Sequence, residues 1–431
     1  MKRWILLGTT TIVIALIIMI PSNPKLIDKV GQRVMGLFKE QVERISLPKQ
    51  SKELVDQVWQ IVDRQYIDAT FNQQDWRSVR QDYMNRSYRS KAEAYSAIQE
   101  MLKLLNDPYT QFFEPEEFKF MQVDASSDLV GIGLYLRQDK TTKELIVVNP
   151  IESNPTYQAG IFPGDVLVKI NRENTQEMTR SEAVRLLLGQ VGTSVILTVR
   201  RNQRELEFEI TREPIELKPI RYHTQNTPAG TIGYIRLSPF TPIAAQELRE
   251  AINDLETQPV NGYILDLRSN PGGLLYSNIE IARMWLDKGT IVSTVNRQGS
   301  SNEEIARNRA LTDKPLVVLI NEGSAAASEI LAAALQDNQR AILVGTPTAG
   351  ENLIQSVRKL PDGSGLAMTI AKFLTPNGRD IAQSGVIPDQ VVSLTSEQQI
   401  AMIRENSAAT MNDPQYVKAV EMLTQMIQNP G

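Results

Sequence analysis

Apolar residues recur at helical spacing in two stretches that follow a polar segment near residue 50. In the first stretch the repeating positions are Leu54, Val58, Ile61 and Val62. In the second they are Tyr95, Ile98, Met101, Leu102 and Leu105. This spacing places each set on one face of an α-helix. The run Asn106-Asp107-Pro108 ends the second helix, so the pattern predicts a small helical unit over residues 50–122.

Short runs of β-favouring residues replace the helical period beyond residue 128. The predicted strands are Leu145–Val148, Val166–Ile170, Val195–Val199 and Arg204–Thr211. Polar and apolar residues alternate in the last of them, where Leu206, Phe208 and Ile210 share one face. One helix, over residues 181–188, interrupts the strands. These elements predict a β-rich module over residues 124–213, and the stretch 211–219 is predicted to be a linker.

Strands and helices alternate from Gly230 onward. The predicted strands are Thr231–Leu237, Tyr263–Leu267, Leu316–Ile320 and Ala341–Val344. Helices with regularly spaced apolar residues lie between them, and one is predicted to run from Ser324 to Leu335. This alternation is typical of βαβ units and a parallel sheet. It predicts an α/β domain over residues 214–395, with a turn at Pro361-Asp362-Gly363 between two further strands, and then an amphipathic helical tail over residues 396–431.

The first 22 residues have the pattern of an export signal or a membrane anchor. Lys2 and Arg3 precede an apolar run from Trp4 to Ile20, which is long for the core of a signal peptide and short for a spanning helix of about 20 residues. Because no small-residue cleavage site follows the run, an uncleaved anchor is favoured over a cleaved signal. The positive-inside rule then places Lys2 and Arg3 in the cytoplasm and the bulk of the chain across the membrane.

Composition excludes several kinds of chemistry. The 431 residues include no cysteine and one histidine, His223. A cysteine nucleophile, disulfides and cysteine-ligated metal sites are therefore excluded, and so are multi-histidine zinc sites. A Ser-His-Asp triad would have to use His223, which is predicted to lie in the linker before the α/β domain. The net charge of −4 leaves no broad basic surface for nucleic acid. We accordingly expect no metal, no cofactor and no nucleic-acid partner.

A glycine-rich segment, Gly131-Ile132-Gly133-Leu134, lies at the start of the β-rich module. Two glycines let the backbone turn and present N–H groups, which can bind a C-terminal carboxylate while the next strand edge accepts an added peptide strand. Taken alone, such a segment is more often a plain turn. The later run Ala159-Gly160-Ile161-Phe162-Pro163-Gly164-Asp165 changes that balance, because the order of glycine loop, strand, this turn, strand and helix resembles a PDZ domain. The resemblance implies that residues 131–134 bind peptide ends.

Three loops at the ends of predicted strands carry candidate chemistry, since ligands of α/β sheets bind at the carboxyl ends of strands. They are Asp266–Gly273, Asn321–Ile330 and Gly345–Asn352. In the first loop, Gly272 and Gly273 could aim a backbone N–H at an oxyanion, although a strand-to-helix turn also needs glycine. In the second, the N-terminus of a helix of small residues could stabilise an anion, although ordinary capping by Ser324 explains it equally well.

Taken in order, these segments resemble the carboxyl-terminal processing proteases, or peptidase family S41, and most of all their cyanobacterial and chloroplast branch. The likeness includes Leu105–Thr110, Glu114–Phe118, Gly233–Leu237, Asp266–Gly273 and Asp362–Leu366. It implies an α+β multidomain fold with an N-terminal helical unit, a PDZ-like β-rich module and an α/β peptidase domain of the crotonase/ClpP-like kind. It also implies a protein that binds the C-terminal tails of other proteins in the periplasm or thylakoid lumen, where that branch removes a C-terminal extension from a photosystem II protein.

Members of that family cut with a serine, which attacks the scissile carbonyl, and a neutral lysine, which takes its proton. Ser328-Glu329 match the family's Ser-Glu pair, which puts the nucleophile position at Ala326. The family lysine follows a Pro-Thr pair, which puts its position at Glu351. Both catalytic side chains are therefore absent, while Gly272 and the Ala327 N–H remain candidates for an oxyanion hole.

Neighbouring residues are poor replacements. Ser324 and Ser328 are each two positions from Ala326, which is about 200° around a helix, and Lys359 lies well beyond Glu351 in the chain. Three hypotheses stay open. In the first, the chain is a membrane-anchored pseudoprotease that binds C-terminal tails and either protects the clients of an active homologue or pairs with that homologue. In the second, it is an active S41 serine-type endopeptidase with a relocated nucleophile. In the third, it is a structural protein that keeps only the fold. Two lost catalytic side chains beside intact binding segments favour the first.

Overall fold

The computed structural model describes residues 50–123, 130–139, 142–150, 154–215, 218–299, 301–404 and 407–429. The chain divides into two compact units between Phe112 and Phe113. The expected anchor over residues 1–22 lies outside the described residues and stays a prediction. Of the helices that are described, none combines the length and the apolar character needed to cross a bilayer.

The described part of the first unit is helical, as the apolar periodicity predicts. Its helices are α1 over residues 50–65, α2 (Trp76–Asn85) and α3 (Lys91–Lys103). Asp75 accepts hydrogen bonds from two N–H groups in the first turn of α2, and Ser90 accepts one in α3. The indole of Trp59 stacks on that of Trp76 and donates its N–H to the Trp76 carbonyl oxygen. These contacts hold α1 against the start of α2.

A β-rich module occupies the next part of the chain. The elements from residue 111 to residue 214 are β1 (Gln111–Phe113), α4 (Pro115–Val123), β2 (Val130–Gly131), β3 (Leu134–Gln138), β4 (Leu145–Pro150), α5 (Pro155–Ala159), β5 (Val166–Ile170), β6 (Glu173–Asn174), α6 (Arg180–Leu187), β7 (Ser194–Arg201), β8 (Arg204–Thr211) and β9 (Glu213–Pro214). Strands β3, β4, β5, β7 and β8 form an antiparallel sheet in that order. Side chains such as Leu145, Leu167 and Leu197 form its core. The four predicted strands and the helix are confirmed.

A mostly parallel sheet organises the remainder of the chain. The elements after residue 219 are β10 (Ile220–Thr227), β11 (Gly230–Leu237), α7 (Ala244–Glu256), β12 (Tyr263–Asp266), α8 (Leu275–Trp285), β13 (Thr290–Asn296), β14 (Ser301–Ile305), β15 (Leu316–Ile320), α9 (Ala327–Asp337), β16 (Ile342–Gly345), β17 (Leu353–Lys359), β18 (Gly365–Leu374), β19 (Gln390–Val391), α10 (Ser396–Arg404) and α11 (Pro414–Gln428). One sheet has the order β10-β11-β12-β15-β16-β19, and every pair after β10-β11 is parallel. Helices α7, α8 and α9 cover one face and α11 covers the other. Because both faces are covered, β15 is apolar and buried throughout.

A second, antiparallel sheet pairs β17 with β18, β18 with β13 and β13 with β14. The turn at Pro361-Asp362-Gly363 joins β17 to β18, as predicted. The sequence did not indicate the β13–β14 hairpin, because β14 is made mainly of exposed polar residues and has no apolar run. Its position in the sheet depends on pairing with β13 rather than on burial of its own side chains.

Three details differ from the expectations. His223 does not lie in a linker but in β10, opposite Tyr234 of β11; the strand was missed because β10 is an edge strand whose side chains are mostly polar and partly exposed. The stretch 211–219 also contains β9, which pairs with β2. In addition, the helix expected from Ser324 begins at Ala327, so Ser324 is not its N-cap.

Candidate active site

Position 326 forms a sharp turn between β15 and α9. Ala326 has φ 48° and ψ −108°, and a positive φ strains a residue that has a Cβ by about 1–3 kcal/mol. Strained turns between a strand and a helix hold the nucleophile away from the backbone in hydrolases of another fold. Half-exposed Ala326 lies in a turn of this kind, and its side chain is a methyl group.

Glu329, in the first turn of α9, organises the surrounding backbone. Its fully buried carboxylate accepts hydrogen bonds from the N–H groups of Ala326 (2.9 Å), Gly350 (2.7 Å) and Glu351 (2.9 Å), and from the Thr348 hydroxyl. Burial raises the pKa of Glu329 above its ordinary value, and these four donors oppose that shift. One carboxylate thus fixes both the turn at 326 and the loop that follows β16.

The two positions assigned to catalysis lie side by side. The nitrogens of Ala326 and Glu351 are each 2.9 Å from the same oxygen of Glu329, so they can be separated by no more than twice that distance. The Glu351 side chain is half-buried. Within the described parts of the chain, no ion pair includes it. The structure brings positions 326 and 351 together, as the resemblance implies.

Gly272 lies directly against the turn at 326. It has φ 95°, and a Cβ added there would be 2.8 Å from the Ala325 carbonyl oxygen and 3.0 Å from the Ala327 nitrogen. The Gly272 N–H donates to the Asn270 side chain over 3.0 Å. The Ala327 N–H has no hydrogen-bond partner among the residues that the structure describes. Of the two oxyanion-hole candidates, the Ala327 N–H could bind an oxyanion directly, whereas the Gly272 N–H would first have to break its hydrogen bond to Asn270. The assignment of both residues stays a prediction.

The hydroxyl groups nearest in sequence to position 326 are already engaged. The Ser324 hydroxyl is fully buried, donates to the Leu267 carbonyl oxygen and accepts from the Asn321 N–H. The Ser328 hydroxyl is also fully buried and donates to the Asn270 carbonyl oxygen over 2.9 Å. Since α9 begins at Ala327 and Ala326 is not helical, the helical-angle argument applies to neither serine, but hydrogen bonding immobilises both side chains. Lys359 is exposed at the end of β17.

A buried charge network beneath the Asp266–Gly273 loop was not anticipated from the sequence. Asp266 pairs with Arg268 (2.6 Å) and Arg236 (3.2 Å), and accepts a hydrogen bond from the Tyr234 hydroxyl. Burial alone would raise the pKa of Asp266, but the two guanidinium groups outweigh it and lower the pKa to about 2. Arg268 also pairs with Asp413 (2.8 Å), the N-cap residue of α11. This network joins the loop to the C-terminal helix, and the only sequence signal for Asp413 is its place before a proline at a helix start.

The glycine-rich segment of the β-rich module has the features of a peptide-end site. Gly131 is in β2, and Leu134 begins β3. The carbonyl oxygens of Ile132 and Gly133 both accept hydrogen bonds from the Thr156 hydroxyl. The Ile132 and Gly133 N–H groups make no hydrogen bond to any residue in the described part of the chain.

Beside this segment lies a strand edge that pairs with none of the described strands. Strand β3 is at the end of its sheet, next to α6. An edge strand beside a helix can accept an added peptide strand while neighbouring N–H groups hold its carboxylate. The segment therefore combines the two elements that recognition of a peptide C-terminus requires.

Two family models match the chain. The model for peptidase family S41 matches residues 231–392, and a PDZ domain model matches residues 146–201. The first match spans the turn at 326, the Gly272 loop and the segment that carries Glu351. The second spans nearly all of β4, strands β5 to β7 and helices α5 and α6.

Known proteins are similar to the chain over most of its length. The carboxyl-terminal-processing protease of Synechocystis sp. is 43% identical over 378 residues, which is 87% of this chain and 87% of that protein. The chloroplastic carboxyl-terminal-processing peptidase 3 of Arabidopsis thaliana is 39% identical over 364 residues, covering 79% and 70% respectively. Among solved structures, a photosystem II D1 C-terminal processing protease matches with a TM-score of 0.73 at 32% identity, over 80% of this chain and 93% of that one.

Proposed function

This chain belongs to peptidase family S41, and we propose that among the carboxyl-terminal-processing proteases it is a member that binds C-terminal tails without cutting them. The proposal rests on the identity of the side chains at two positions of the site. Ala326 and Glu351 occupy the positions that the family resemblance assigns to the serine nucleophile and the lysine base. The other hypothesis, an active peptidase, requires a nucleophile from elsewhere.

The first step of peptide cleavage, attack by a hydroxyl on the scissile carbonyl, has no nucleophile at this site. Acyl transfer to serine needs a hydroxyl that loses its proton to a neighbouring base as it attacks. The Ala326 methyl has no lone pair and no acidic proton, so a base at Glu351 would have nothing to deprotonate. The Ser324 and Ser328 hydroxyls are buried in hydrogen bonds to backbone oxygens, and using either would require the turn to be rebuilt. Loss of the triad in a serine protease of unrelated fold lowers turnover by about 10⁶, and we expect a loss of that order.

Binding does not depend on the missing groups. The turn at 326, the close packing of Gly272 and the Ala327 N–H are all in place, and they suit a peptide backbone drawn close to the start of α9. The N–H groups of Ile132 and Gly133, which have no hydrogen-bond partner among the described residues, suit a terminal carboxylate. These features support C-terminal tails as the ligand. Such a protein would shield the tails of its clients from an active homologue, or regulate that homologue by pairing with it.

The test uses the full chain in detergent and a fluorescent peptide with a disordered apolar tail and a free C-terminus. Anisotropy measures binding and mass spectrometry measures cleavage. We expect the wild type to bind the peptide and leave it intact, and the double variant Ala326→Ser, Glu351→Lys to bind and cut it. Ala325→Ser with Glu351→Lys is the matched control, since it places a hydroxyl one residue from the turn and should stay inactive.

Two results would overturn the proposal. Cleavage by the wild type that disappears in Ser324→Ala or Ser328→Ala would identify a relocated nucleophile and an active peptidase. Failure of the wild type to bind any C-terminal peptide, in a preparation that unfolds cooperatively on heating, would leave a protein that keeps only the fold.

We also propose that residues 1–22 anchor the protein with its folded units in the periplasm or thylakoid lumen. The support is the pair Lys2 and Arg3 before the apolar run Trp4 to Ile20. Alkaline extraction of membranes should leave the protein in the pellet, and protease added from the cytoplasmic side should not degrade it. Release of the intact chain by alkaline carbonate would contradict the anchor.

A further inference from the structure

Arg212, directly after β8, is a buried cation whose hydrogen-bond partners are all uncharged. Only 7% of the residue is exposed. Its guanidinium group donates hydrogen bonds to the carbonyl oxygens of Leu186 (2.8 Å), Leu187 (3.1 Å) and Ser194 (2.9 Å), and to the Thr193 hydroxyl (3.0 Å). No ion pair includes Arg212 within the described residues. Burying a charge without a counter-charge is costly, and an anion from outside the chain would lower that cost.

The hydrogen bonds to Leu186 and Leu187 cap the C-terminus of α6. The last carbonyl groups of a helix carry a partial negative charge of about half a unit, which Arg212 offsets. Because the guanidinium carries a full positive charge, this end of α6 keeps a net positive charge. A Cβ on Gly189 would be 2.8 Å from the Cδ and Nε atoms of Arg212, so the guanidinium is held closely against the end of the helix.

The glycine-rich segment lies against the same end of α6. A Cβ on Gly131 would be 3.4 Å from the Leu187 carbonyl oxygen, and that oxygen accepts the hydrogen bond from Arg212 over 3.1 Å. The Gly189 N–H donates to the Val130 carbonyl oxygen over 3.2 Å, which ties the chain after α6 to the start of the segment. The guanidinium and the glycine-rich segment are therefore neighbours of one carbonyl group.

The charge at the end of α6 decides what the glycine-rich segment can bind. The Ile132 and Gly133 N–H groups, which make no hydrogen bond within the described chain, suit a carboxylate. Without Arg212, the negative end of α6 would repel that carboxylate; with Arg212 in place, the same end attracts it. Glu213 lies opposite Gly131 in β9, but its side chain is exposed, and water and salt screen an exposed charge more than a buried one.

We propose that Arg212 supplies the positive charge with which the glycine-rich segment holds the terminal carboxylate of a bound tail. The inference rests on the proposed tail-binding function, and it specifies that the ligand ends in a free carboxylate at this segment. Arg212 acts through the end of α6 and does not touch the ligand, so it is a positioning residue. The carboxylate of the ligand is the counter-charge that the buried guanidinium lacks.

The experiment compares two fluorescent peptides of one apolar sequence, one with a free and one with an amidated C-terminus. Anisotropy measures both affinities for the full chain in detergent, and the ratio of the free to the amidated affinity reports recognition of the carboxylate. Thr193→Asp places an acid beside Arg212, at an exposed position whose hydroxyl already bonds the guanidinium. We expect the ratio to fall about three- to tenfold, the effect of neutralising one charge at about 10 Å in a partly buried site. Thr193→Asn is the matched control, because it has nearly the same shape as aspartate without the charge and should keep most of the ratio.

Two changes of Arg212 itself separate its charge from its hydrogen bonds. Arg212→Gln can still donate to a carbonyl oxygen at the end of α6 but is neutral, so the ratio should fall as it does in Thr193→Asp. Arg212→Lys keeps the charge with fewer donors and should keep the larger part of the ratio. Glu213→Gln, which removes the exposed acid opposite Gly131, should leave the ratio unchanged or raise it. Thermal unfolding is measured for each variant, and Thr193→Asp should be at least as stable as the wild type because it gives the buried cation a counter-charge.

The outcomes separate this inference from the proposed function. Equal ratios in Thr193→Asp and Thr193→Asn would overturn the role of Arg212 and leave tail binding standing. A fall in Arg212→Lys as large as that in Arg212→Gln would also overturn it, because hydrogen bonding and not charge would then be what matters. A wild type that binds both peptides equally would show that the segment holds no carboxylate, which again removes the role of Arg212 alone. If neither peptide binds the wild type, the tail-binding function fails and the inference fails with it.

Discussion

Ala326 and Glu351 donate their backbone N–H groups to the same oxygen of Glu329, each over 2.9 Å. The frame that aligns the two positions is therefore built from backbone donors and one buried carboxylate. Neither side chain at 326 nor side chain at 351 takes part in it. The geometry at positions 326 and 351 therefore does not depend on which side chains occupy them.

Ala326→Gly should stabilise the protein. Glycine adopts a φ of 48° without steric cost, so the change removes about 1–3 kcal/mol of backbone strain and adds about 0.5–1 kcal/mol of chain entropy in the unfolded state. We expect a net gain of about 1 kcal/mol in the free energy of unfolding, measured in urea. Ala325→Gly is the control, because Ala325 has no positive φ and should lose stability. Equal losses in both variants would show that the turn is unstrained.

Acid should destabilise the second unit through Asp266. The pKa of this carboxyl is about 2 in the folded state against an ordinary value of 3.8, so the folded state binds the proton less tightly than the unfolded state does. The resulting stabilisation is present above about pH 4 and is lost as the pH falls toward about 2. Unfolding free energies measured at a series of acid pH values should show this decline.

Two tyrosine variants isolate the contribution of Asp266 to that decline. Tyr234→Phe removes a hydrogen-bond donor to Asp266, which raises the carboxyl pKa and should move the acid midpoint to higher pH. Tyr416→Phe removes a hydroxyl that bonds to Gln225 instead and should leave the midpoint unchanged. The same midpoint in both variants would be inconsistent with Asp266 as the titrating group.

Asp413→Asn should cost about 1–3 kcal/mol, because asparagine still caps α11 but leaves Arg268 with one fewer buried counter-charge. Asp75→Asn is matched to it, since Asp75 is also an aspartate N-cap and lies at the exposed start of α2. That variant should change stability by less than about 0.5 kcal/mol. Thermal unfolding midpoints of the two variants measure the difference, and similar shifts would mean that the buried pair contributes nothing.

Thr156→Val should weaken recognition of a free peptide carboxylate. The Thr156 hydroxyl bonds the carbonyl oxygens of Ile132 and Gly133, so its loss frees the segment whose N–H groups would bind the ligand. We expect an affinity loss of about five- to tenfold for a peptide with a free terminus, in line with one hydrogen bond. A peptide with an amidated terminus should change little, and Thr156→Ser should restore most of the affinity. A similar loss for both peptides would indicate general unfolding of the module.

The sequence predicted those strands and helices whose buried apolar residues recur along the chain with a recognisable spacing. Strands such as β5 and β15 are recognisable as runs of apolar, β-favouring residues. Gly133 and Gly272 have positive φ values that would strain other residues, and their place in the sequence marks turns. Edge strand β10 and hairpin strand β14 have exposed polar side chains, so no apolar pattern reveals them. The role of Glu329 was equally hidden, because its partners lie about twenty residues later and bind mainly through backbone N–H groups.

Gly272→Ala tests whether the cleft is packed as closely as the structure shows. A Cβ at this position would lie 2.8 Å from the Ala325 carbonyl oxygen, and the φ of 95° is unfavourable for alanine. The expected cost is about 2–4 kcal/mol in the free energy of unfolding, the sum of backbone strain and a clash with backbone that cannot move aside. Gly378→Ala separates the two causes, because Gly378 also has a positive φ, 75°, but no atom lies within 4 Å of an added Cβ. That control should lose only about 1 kcal/mol. Equal losses in the two variants would mean that Gly272 does not press against the turn at 326, and the oxyanion-hole geometry inferred for Gly272 and Ala327 would then be wrong.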